Sequence, residues 1–121
     1  MPVVTLQCLP PPDADSDAVE RALRGIVSAV ASALRSDPGS TWAHWVPMAD
    51  VFQGLERMGF RGHCPVVTIR GRARDDDSVA AVLAGVAAAV SAALKLPLED
   101  VWVQWLEVEP GRAFAGGQLV T

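Results

Sequence analysis

The chain has 121 residues, half of them apolar and 20% charged, and its formal net charge at pH 7 is −4. This composition is typical of a globular protein that can bury its own core, and it excludes a disordered chain. The acidic balance and the lack of any basic run give no reason to expect nucleic acid as a partner. Because residues 1 and 2 lead directly into a strand pattern, we expect no secretory leader and a cytoplasmic location.

Three other features bear on the class of protein. The uncharged run at residues 78–94 approaches membrane length, but it is mostly alanine with charged residues at both ends, so we interpret it as a buried helix and expect no membrane partner. Cys8 and Cys64 occupy different positions of the repeat described below, so we expect reduced thiols. His63 and Cys64 are too few ligands for a metal site, and we expect neither metal nor cofactor.

The segment PVVT at residues 2–5 returns at residues 65–68, a shift of 63 positions. At a shift of 60 positions, Trp42 and Trp45 recur as Trp102 and Trp105. Seven helix-region residues recur at the same shift: Val19, Leu23, Gly25, Ala29, Val30, Ala33 and Leu34 return as Val79, Leu83, Gly85, Ala89, Val90, Ala93 and Leu94. We infer one domain built from a unit of about sixty residues used twice, roughly over residues 2–50 and 65–121.

The first copy begins with a strand pattern and continues with a helix pattern. Residues 2–8 open on proline and continue with β-branched residues, which predicts a strand. Asp15 or Ser16 can cap a helix that runs to about Arg35, because apolar residues then recur at helical spacing. A turn follows, and the next strand is expected over residues 41–48.

That second strand carries two tryptophans. Trp42 and Trp45 are an odd number of positions apart, so they are predicted to lie on opposite faces of the sheet. From residue 51 to 63 we expect an ordered but irregular connection that contains three glycines.

The second copy repeats this order. A strand is predicted over residues 65–70, a helix capped by Asp76 or Asp77 and ending at about Lys95, and a strand over residues 100–108. A turn and a glycine-bearing tail complete the chain.

Strand–helix–strand units with right-handed crossovers have parallel strands, and two such units about a pseudo-two-fold axis run antiparallel to each other. The expected fold is therefore α/β (α+β): a four-stranded mixed sheet with two helices on one face. This arrangement would bring Pro2 close to Arg72 and Arg74. The last strand has large apolar residues on both faces, at residues 101–103 and 105–106, so we expect another subunit to cover the open face.

A β-α-β unit that opens on proline after Met1, duplicated in a chain of this length, resembles the tautomerase superfamily. The second copy is similar to the 4-oxalocrotonate tautomerases down to the ending FAGGQL at residues 114–119. The string TIRGRAR at residues 68–74 is similar to the stretch that carries two substrate-binding arginines in malonate semialdehyde decarboxylases. The resemblance implies a homotrimer with a sheet-lined centre, catalysis by Pro2 as the N-terminal residue, and small 2-oxo acids or related carboxylates as substrates.

The chain also departs from patterns within that superfamily. It contains no tyrosine, so members that use a tyrosine as acid or water activator are poor guides. Trp102 stands about where the 4-oxalocrotonate tautomerases have an arginine. No histidine in the first helix and no glutamate after Pro110 argue against close kinship with the cis-3-chloroacrylic acid dehalogenases.

Pro2 is the candidate catalyst, and the alternative is a proline that only begins a strand. If Met1 is removed, Pro2 has a free secondary amine, whereas the nitrogen of Pro65 stays in an amide. Burial and nearby arginines would both disfavour the charged amine and lower its pKa towards neutrality. Such an amine can remove a proton α to a carbonyl. If Met1 is retained, this mechanism fails.

Five other residues complete the candidate binding site. Arg72 and Arg74 suit bidentate carboxylate binding, while Arg70, a third candidate, is better interpreted as part of a solvated cluster beside residues 75–77. Phe114 could form an apolar wall, and Trp102 is the one tryptophan for which we expect substrate contact rather than a place in the core or an interface.

Two further polar residues have structural interpretations. His44 is expected to be a structural histidine within its strand. Asp37 is expected to belong to a helix-ending turn, and a catalytic part for either residue is left open.

Three functions remain open. The leading hypothesis is tautomerisation of a small 2-oxo acid, with Pro2 as general base. The alternative is decarboxylation or hydration of a three-carbon acid, with Pro2 as a cationic acid. The third is a catalytically silent trimeric binding protein in which Met1 blocks the amine.

Overall fold

The computed structural model describes residues 1–58 and 64–121. The elements of the first copy are β1 (Val3–Cys8), α1 (Ala18–Leu34), β2 (Trp42–Pro47), β3 (Phe52–Gln53) and β4 (Glu56–Arg57). Those of the second are β5 (Val66–Gly71), α2 (Asp76–Leu94), β6 (Trp102–Glu107), β7 (Phe114–Ala115) and β8 (Gln118–Leu119). The long elements match the predicted ones to within two or three residues at their ends.

The four long strands form one mixed sheet in the order β2-β1-β5-β6. Strands β1 and β2 are parallel, β5 and β6 are parallel, and the two central strands β1 and β5 are antiparallel. This is the predicted α+β topology. It follows from two β-α-β units related by a pseudo-two-fold axis between β1 and β5.

Both helices cover the same face of the sheet, and the core lies between these two layers. Side chains of β1 alternate between buried and half-buried, as a strand with one covered face requires. The buried side chains of the central strands are Val4, Leu6, Cys8, Val67 and Ile69. Those of the helices include Val19, Ala22, Ile26, Val30, Val82, Val86, Val90 and Leu94.

The two helices touch through small residues that the repeat duplicates. A Cβ at Gly25 would lie 3.1 Å from the Cβ of Ala89, and a Cβ at Gly85 would lie 3.5 Å from that of Ala29. These four residues are two equivalent pairs at a shift of 60 positions. The helix–helix contact therefore also obeys the pseudo-two-fold symmetry.

By length and composition alone, α2 could cross a membrane. It is also a helix of the core, since Val82, Val86, Val90 and Leu94 are buried in the cluster that includes β1 and β5. Its outward face is mostly alanine.

The helix starts differ from those predicted. Asp75 is the cap of α2, accepting a hydrogen bond from the backbone N–H of Ser78 at 3.1 Å, and Asp76 and Asp77 form the first turn instead. At α1, Asp17 precedes the helix without a side-chain cap. A short 3₁₀ turn at residues 13–15 moves the helix start beyond both residues that we expected to cap it.

The connection between the copies contains a β-hairpin, β3–β4, where an irregular segment was predicted. The backbone N–H of Met58 donates to the carbonyl of Val51 at 2.8 Å, and at the tail hairpin the N–H of Val120 donates to the carbonyl of Ala113 at 2.8 Å. The two hairpins are therefore equivalent, 62 positions apart. Residues 59–63 of the predicted connection, with His63, lie outside the described residues.

Within residues 1–58 and 64–121, no helix lies against the other face of the sheet. Trp42 and Trp102 are each 62% exposed there, whereas Trp45 and Trp105 pack against the core from the covered side. The predicted placement of Trp42 and Trp45 on opposite faces is thus confirmed. A polar row crosses the open face where His44, Thr5, Thr68 and Gln104 are paired from strand to strand.

Candidate active site

The register of the two central strands decides what surrounds Pro2. Val3 pairs with Arg70, so β1 begins where β5 ends. Pro2 is buried, and its carbonyl accepts a hydrogen bond from the backbone N–H of Trp42 at 3.0 Å. The residues that follow β5, beginning with Arg72, therefore lie beside the start of the chain.

A cavity of about 280 Å³ opens beside Met1 and Val3, the chain neighbours of Pro2, and we call it the Pro2 cavity although Pro2 itself is not one of its lining residues. It is lined by Met1, Val3, Trp42, Arg70, Gly71, Arg72, Val108, Ala113, Phe114, Ala115, Gly116 and Val120. Three predicted binding residues, Arg70, Arg72 and Phe114, thus come together beside the amino end. The hairpin β7–β8 closes one side with largely apolar groups.

Arg74 lies in an adjoining depression that it shares with Arg72, Pro110 and Thr121. The two predicted carboxylate-binding arginines are therefore neighbours, with Arg72 common to both hollows. No carboxylate among residues 1–58 and 64–121 forms an ion pair with Arg70, Arg72 or Arg74. Their charges remain available to a ligand.

The cations act on the amino end of the chain. The pKa of the Met1 amine is lowered from its usual value of 8.0, first by burial and then by the charges of Arg72 and Arg74. Both causes disfavour the protonated amine. An amine at this end of β1 is thus held towards its neutral, basic form.

Arg70 differs from the interpretation that the sequence favoured. Its guanidinium is exposed, yet it lines the Pro2 cavity and donates a hydrogen bond to the hydroxyl of Thr5 at 3.3 Å. That hydroxyl is also 3.1 Å from Nε2 of His44, so a polar chain crosses three strands of the open face. The neighbouring carboxylate of Asp75 is occupied as a helix cap.

The remaining candidates lie elsewhere. Trp102 lines a different cavity, beside Pro65. Trp42, on the parallel strand next to β1, lines the Pro2 cavity instead. Asp37 accepts a hydrogen bond from the backbone N–H of Gly39 at 3.0 Å, which makes it the turn residue that the sequence predicted.

Sequence reasoning missed Trp42, Val3 and Val108 as lining residues. The repeat itself held the signal for Trp42, because this residue is the equivalent of Trp102. Choosing between the two required the strand register, since β2, which carries Trp42, pairs with the start of β1, whereas β6, which carries Trp102, pairs with β5.

No family model and no curated protein matches the sequence. Solved structures do match along nearly the whole chain. A fused 4-OT, described as a wild-type asymmetric trimer, superposes with a TM-score of 0.84 at 18% identity, covering 98% of this chain and 95% of that one. The chain has the tautomerase-superfamily fold.

Two further structures with this fold extend the comparison. Pt0534 inactivated by 2-oxo-3-pentynoate has a TM-score of 0.75 at 15% identity, over 98% of this chain and 94% of that chain. N1, a member of the cis-3-chloroacrylic acid dehalogenase family, has a TM-score of 0.76 at 15% identity, over 98% of this chain and 83% of its own. The tautomerase fold is thus shared with proteins of more than one chemistry.

Proposed function

We propose that this protein is a tautomerase of small 2-oxo acids or related carboxylates. Pro2, freed by removal of Met1, is the general base, and Arg72 and Arg74 bind the substrate carboxylate. The observation that carries the proposal is the pairing of Val3 with Arg70, since it joins the amino end of β1 to the arginine segment in one small cavity.

The proton transfer needs only one base. The neutral amine of Pro2 removes a proton from the carbon next to the 2-oxo group, and the electron pair left behind forms the enolate. Arginine charges stabilise the negative oxygen and hold the carboxylate. The protonated amine then returns the proton to another carbon or to oxygen, which completes the isomerisation without any net gain or loss of atoms.

The composition of the cavity favours this reaction over hydration. Among the described residues that line it there is no carboxylate, imidazole or phenol. Hydration needs a second group that activates water while the first protonates the substrate. A single amine between arginines and an apolar wall suits the transfer of one proton within the substrate.

Decarboxylation of a three-carbon acid remains the second candidate, because a cationic Pro2 and the same arginines could stabilise the carbanion that forms. A substrate panel followed by ultraviolet absorbance separates the two reactions. Enol-to-keto conversion with no release of carbon dioxide supports the tautomerase.

We also propose that the protein is a homotrimer; the fused 4-OT with a TM-score of 0.84 is described as an asymmetric trimer. Val46 and Leu106, which are exposed on the open sheet face, support this assembly, since exposed apolar surface on a sheet is normally covered by a partner. If Met1 is retained, the same trimer would be a catalytically silent binding protein.

The deciding experiment compares the processed protein with a form that retains residues ahead of Pro2. Mass spectrometry establishes the N-terminus of each form, and circular dichroism checks that both fold. We expect only the processed form to convert 2-oxo acid enols. Equal rates for both forms would refute catalysis by Pro2.

A covalent probe gives a second test. 2-Oxo-3-pentynoate, which inactivates the related Pt0534, has an alkyne that can accept a nucleophilic amine by conjugate addition. The nitrogen–carbon bond forms, the alkyne becomes an alkene, and the amine proton moves to carbon, so the protein gains the whole mass of the compound. We expect one adduct per chain, on Pro2, and a modified side chain elsewhere with Pro2 untouched would contradict the proposal.

A further inference from the structure

The structure has a second cavity, about 690 Å³ in volume. It is lined by Val51, Gln53, Met58, Cys64, Pro65, Val66, Leu96, Pro97, Glu99, Asp100, Val101 and Trp102. We call it the Pro65 cavity. Its volume is within the range of about 300–1,000 Å³ that small-molecule sites occupy.

The Pro65 cavity is the pseudo-two-fold image of the Pro2 cavity. Cys64, Val66 and Trp102 correspond to Met1, Val3 and Trp42 in the repeat. The hairpin β3–β4 closes it as β7–β8 closes the Pro2 cavity, with Met58 at the position of Val120. The scaffold that forms a ligand-sized hollow in one half therefore forms another in the second half.

Among the described residues that line them, the charged side chains of the two cavities have opposite signs. Arg70 and Arg72 line the Pro2 cavity, and their equivalents in the first copy are the uncharged Gln7 and Leu9. On the turn before β6, the Pro65 cavity gains Glu99 and Asp100, whose equivalents in the first copy are Gly39 and Ser40. Of the described residues that line the Pro65 cavity, none is a lysine or arginine.

The negative charge of Asp100 acts on Cys64, another residue that lines the cavity. The pKa of the Cys64 thiol is raised, first by burial and then by the carboxylate of Asp100. The thiol is therefore protonated at neutral pH and is a poor nucleophile. Pro65 has no free amine, because its nitrogen lies in a peptide bond. Both features indicate binding without catalysis.

Trp102 supplies an aromatic wall. Its indole is 62% exposed, and its Nε1 donates a hydrogen bond to Oε1 of Gln104 at 2.7 Å, which fixes the ring. An indole face attracts a cation, and Trp is the best of the aromatic side chains at this. Valine, leucine and methionine side chains complete an apolar lining.

We propose that the Pro65 cavity binds a small organic cation with an apolar body, such as an aryl or alkyl ammonium compound. Glu99 and Asp100 attract the charge, Trp102 contacts it with its ring, and the apolar lining takes the body of the ligand. A carboxylate, the ligand class proposed for the Pro2 cavity, is disfavoured there because the two charged side chains among the described lining residues are both negative. The site is separate from the proposed active site and does not depend on the state of Pro2.

The test uses benzyltrimethylammonium chloride as probe and sodium benzoate as its anionic counterpart, titrated calorimetrically into the full-length protein. We expect the ammonium probe to bind in the millimolar range or tighter, and more weakly at high salt. The double variant E99Q/D100N keeps shape and removes charge, and we expect its affinity for the ammonium probe to fall roughly tenfold.

Tryptophan variants then locate the site. Trp102→Leu should weaken binding of the ammonium probe, and the matched variant Trp42→Leu, in the image cavity, should not. Both residues are largely exposed, and circular dichroism checks that each variant folds. Absence of binding to the wild type, full affinity in E99Q/D100N, equal effects of the two tryptophan variants, or equal binding of benzoate at the Pro65 cavity would each overturn the proposal. None of these results depends on tautomerase activity.

Discussion

Gly71 lies directly under the indole of Trp105: a Cβ at residue 71 would come within 2.7 Å of the ring atom Cζ2. The ring is packed against the core and cannot move away freely. The equivalent position in the first copy is Cys8, which is buried near Trp45. Gly71 is therefore a position where the second copy needs a residue without a side chain.

The contact predicts the effect of Gly71→Ala. Overpacking of this kind costs about 1–3 kcal/mol of unfolding free energy, and the shift should also disturb the end of β5, which lines the Pro2 cavity. Chemical denaturation gives the stability change. Gly39→Ala is the control, since its nearest contact would be an ordinary 3.5 Å. Equal midpoints for both variants would contradict the close contact.

The two interhelical glycines form a matched pair of substitutions. Gly85→Ala should stabilise the protein by about 0.5–1 kcal/mol, because the helix gains propensity and the new methyl group meets Ala29 at 3.5 Å. Gly25→Ala should gain less or destabilise, because its methyl group would lie only 3.1 Å from Ala89. Thermal unfolding ranks the two, and a larger gain for Gly25→Ala would contradict the packing.

The arginines should control both affinity and pH dependence in the proposed reaction. Arg72→Ala removes charged hydrogen bonds to the carboxylate, at about 1.5–3 kcal/mol per bond, and should chiefly raise KM. It also removes a positive charge that lowers the pKa of the Met1 amine, and we expect the same charge to lower the pKa of the Pro2 amine once Met1 is removed. Activity needs the neutral amine, so the acid limb of kcat/KM against pH should move to higher pH.

Arg74→Ala should act in the same direction, and Arg24→Ala is the control because Arg24 pairs with Glu20 on the outer side of α1. If Arg72→Ala and Arg74→Ala both keep the wild-type pH profile, these two arginines do not influence the pKa of the Pro2 amine.

The contacts of Asp15 predict that part of the free energy of unfolding is lost at acid pH. Its carboxylate accepts a hydrogen bond from Arg21 at 2.9 Å and lies 3.7 Å from Nζ of Lys95 at the end of α2. The hydrogen bond from Arg21 is the main cause that lowers the pKa of Asp15 below its usual 3.8. Because the pKa of Asp15 is lower in the folded than in the unfolded state, the ionised carboxylate stabilises the fold at any pH above the unfolded-state pKa. This stabilisation is lost as the pH falls through the folded-state pKa.

Asp15→Asn should therefore be less stable than the wild type at neutral pH and should show a flatter loss of stability below pH ~4. Urea denaturation at several pH values measures the free energy of unfolding of each protein and how steeply it falls with pH. Arg21→Gln should remove the same acid-dependent part. Parallel stability curves for wild type and Asp15→Asn would refute the link.

Assembly is tested by a pair of lysine substitutions. Val46→Lys places a charge on the open sheet face, and Ala84→Lys places one on the outer face of α2. We expect sedimentation equilibrium to show a trimer for the wild type and Ala84→Lys, and dissociation for Val46→Lys because burying an unpaired charge is costly. A monomeric wild type would refute the trimer.

Local pattern in the sequence was enough to predict the long strands, both helices and their mixed sheet. Each of these elements is set by the spacing of apolar residues, which is visible over a few turns of chain, and the repeat supplied the symmetry. The hairpin β3–β4 was not predicted, because it is 62 positions from its equivalent β7–β8 and the repeat was recognised at shifts of 63 and 60 positions. The same short insertions and deletions that changed the shift hid the equivalence of Phe52 and Phe114.

The choice of partners around each cavity required the tertiary structure. Trp42 and Trp102 are equal in sequence terms, and only the parallel pairing of β2 with β1 brings Trp42 beside Pro2. From the sequence alone, Arg70 is interpreted as a residue of a solvated cluster. Its strand pairing with Val3 places it at the Pro2 cavity instead. Strand register is a long-range property: a sequence determines which face a side chain takes, and the fold decides which distant residue lies opposite it.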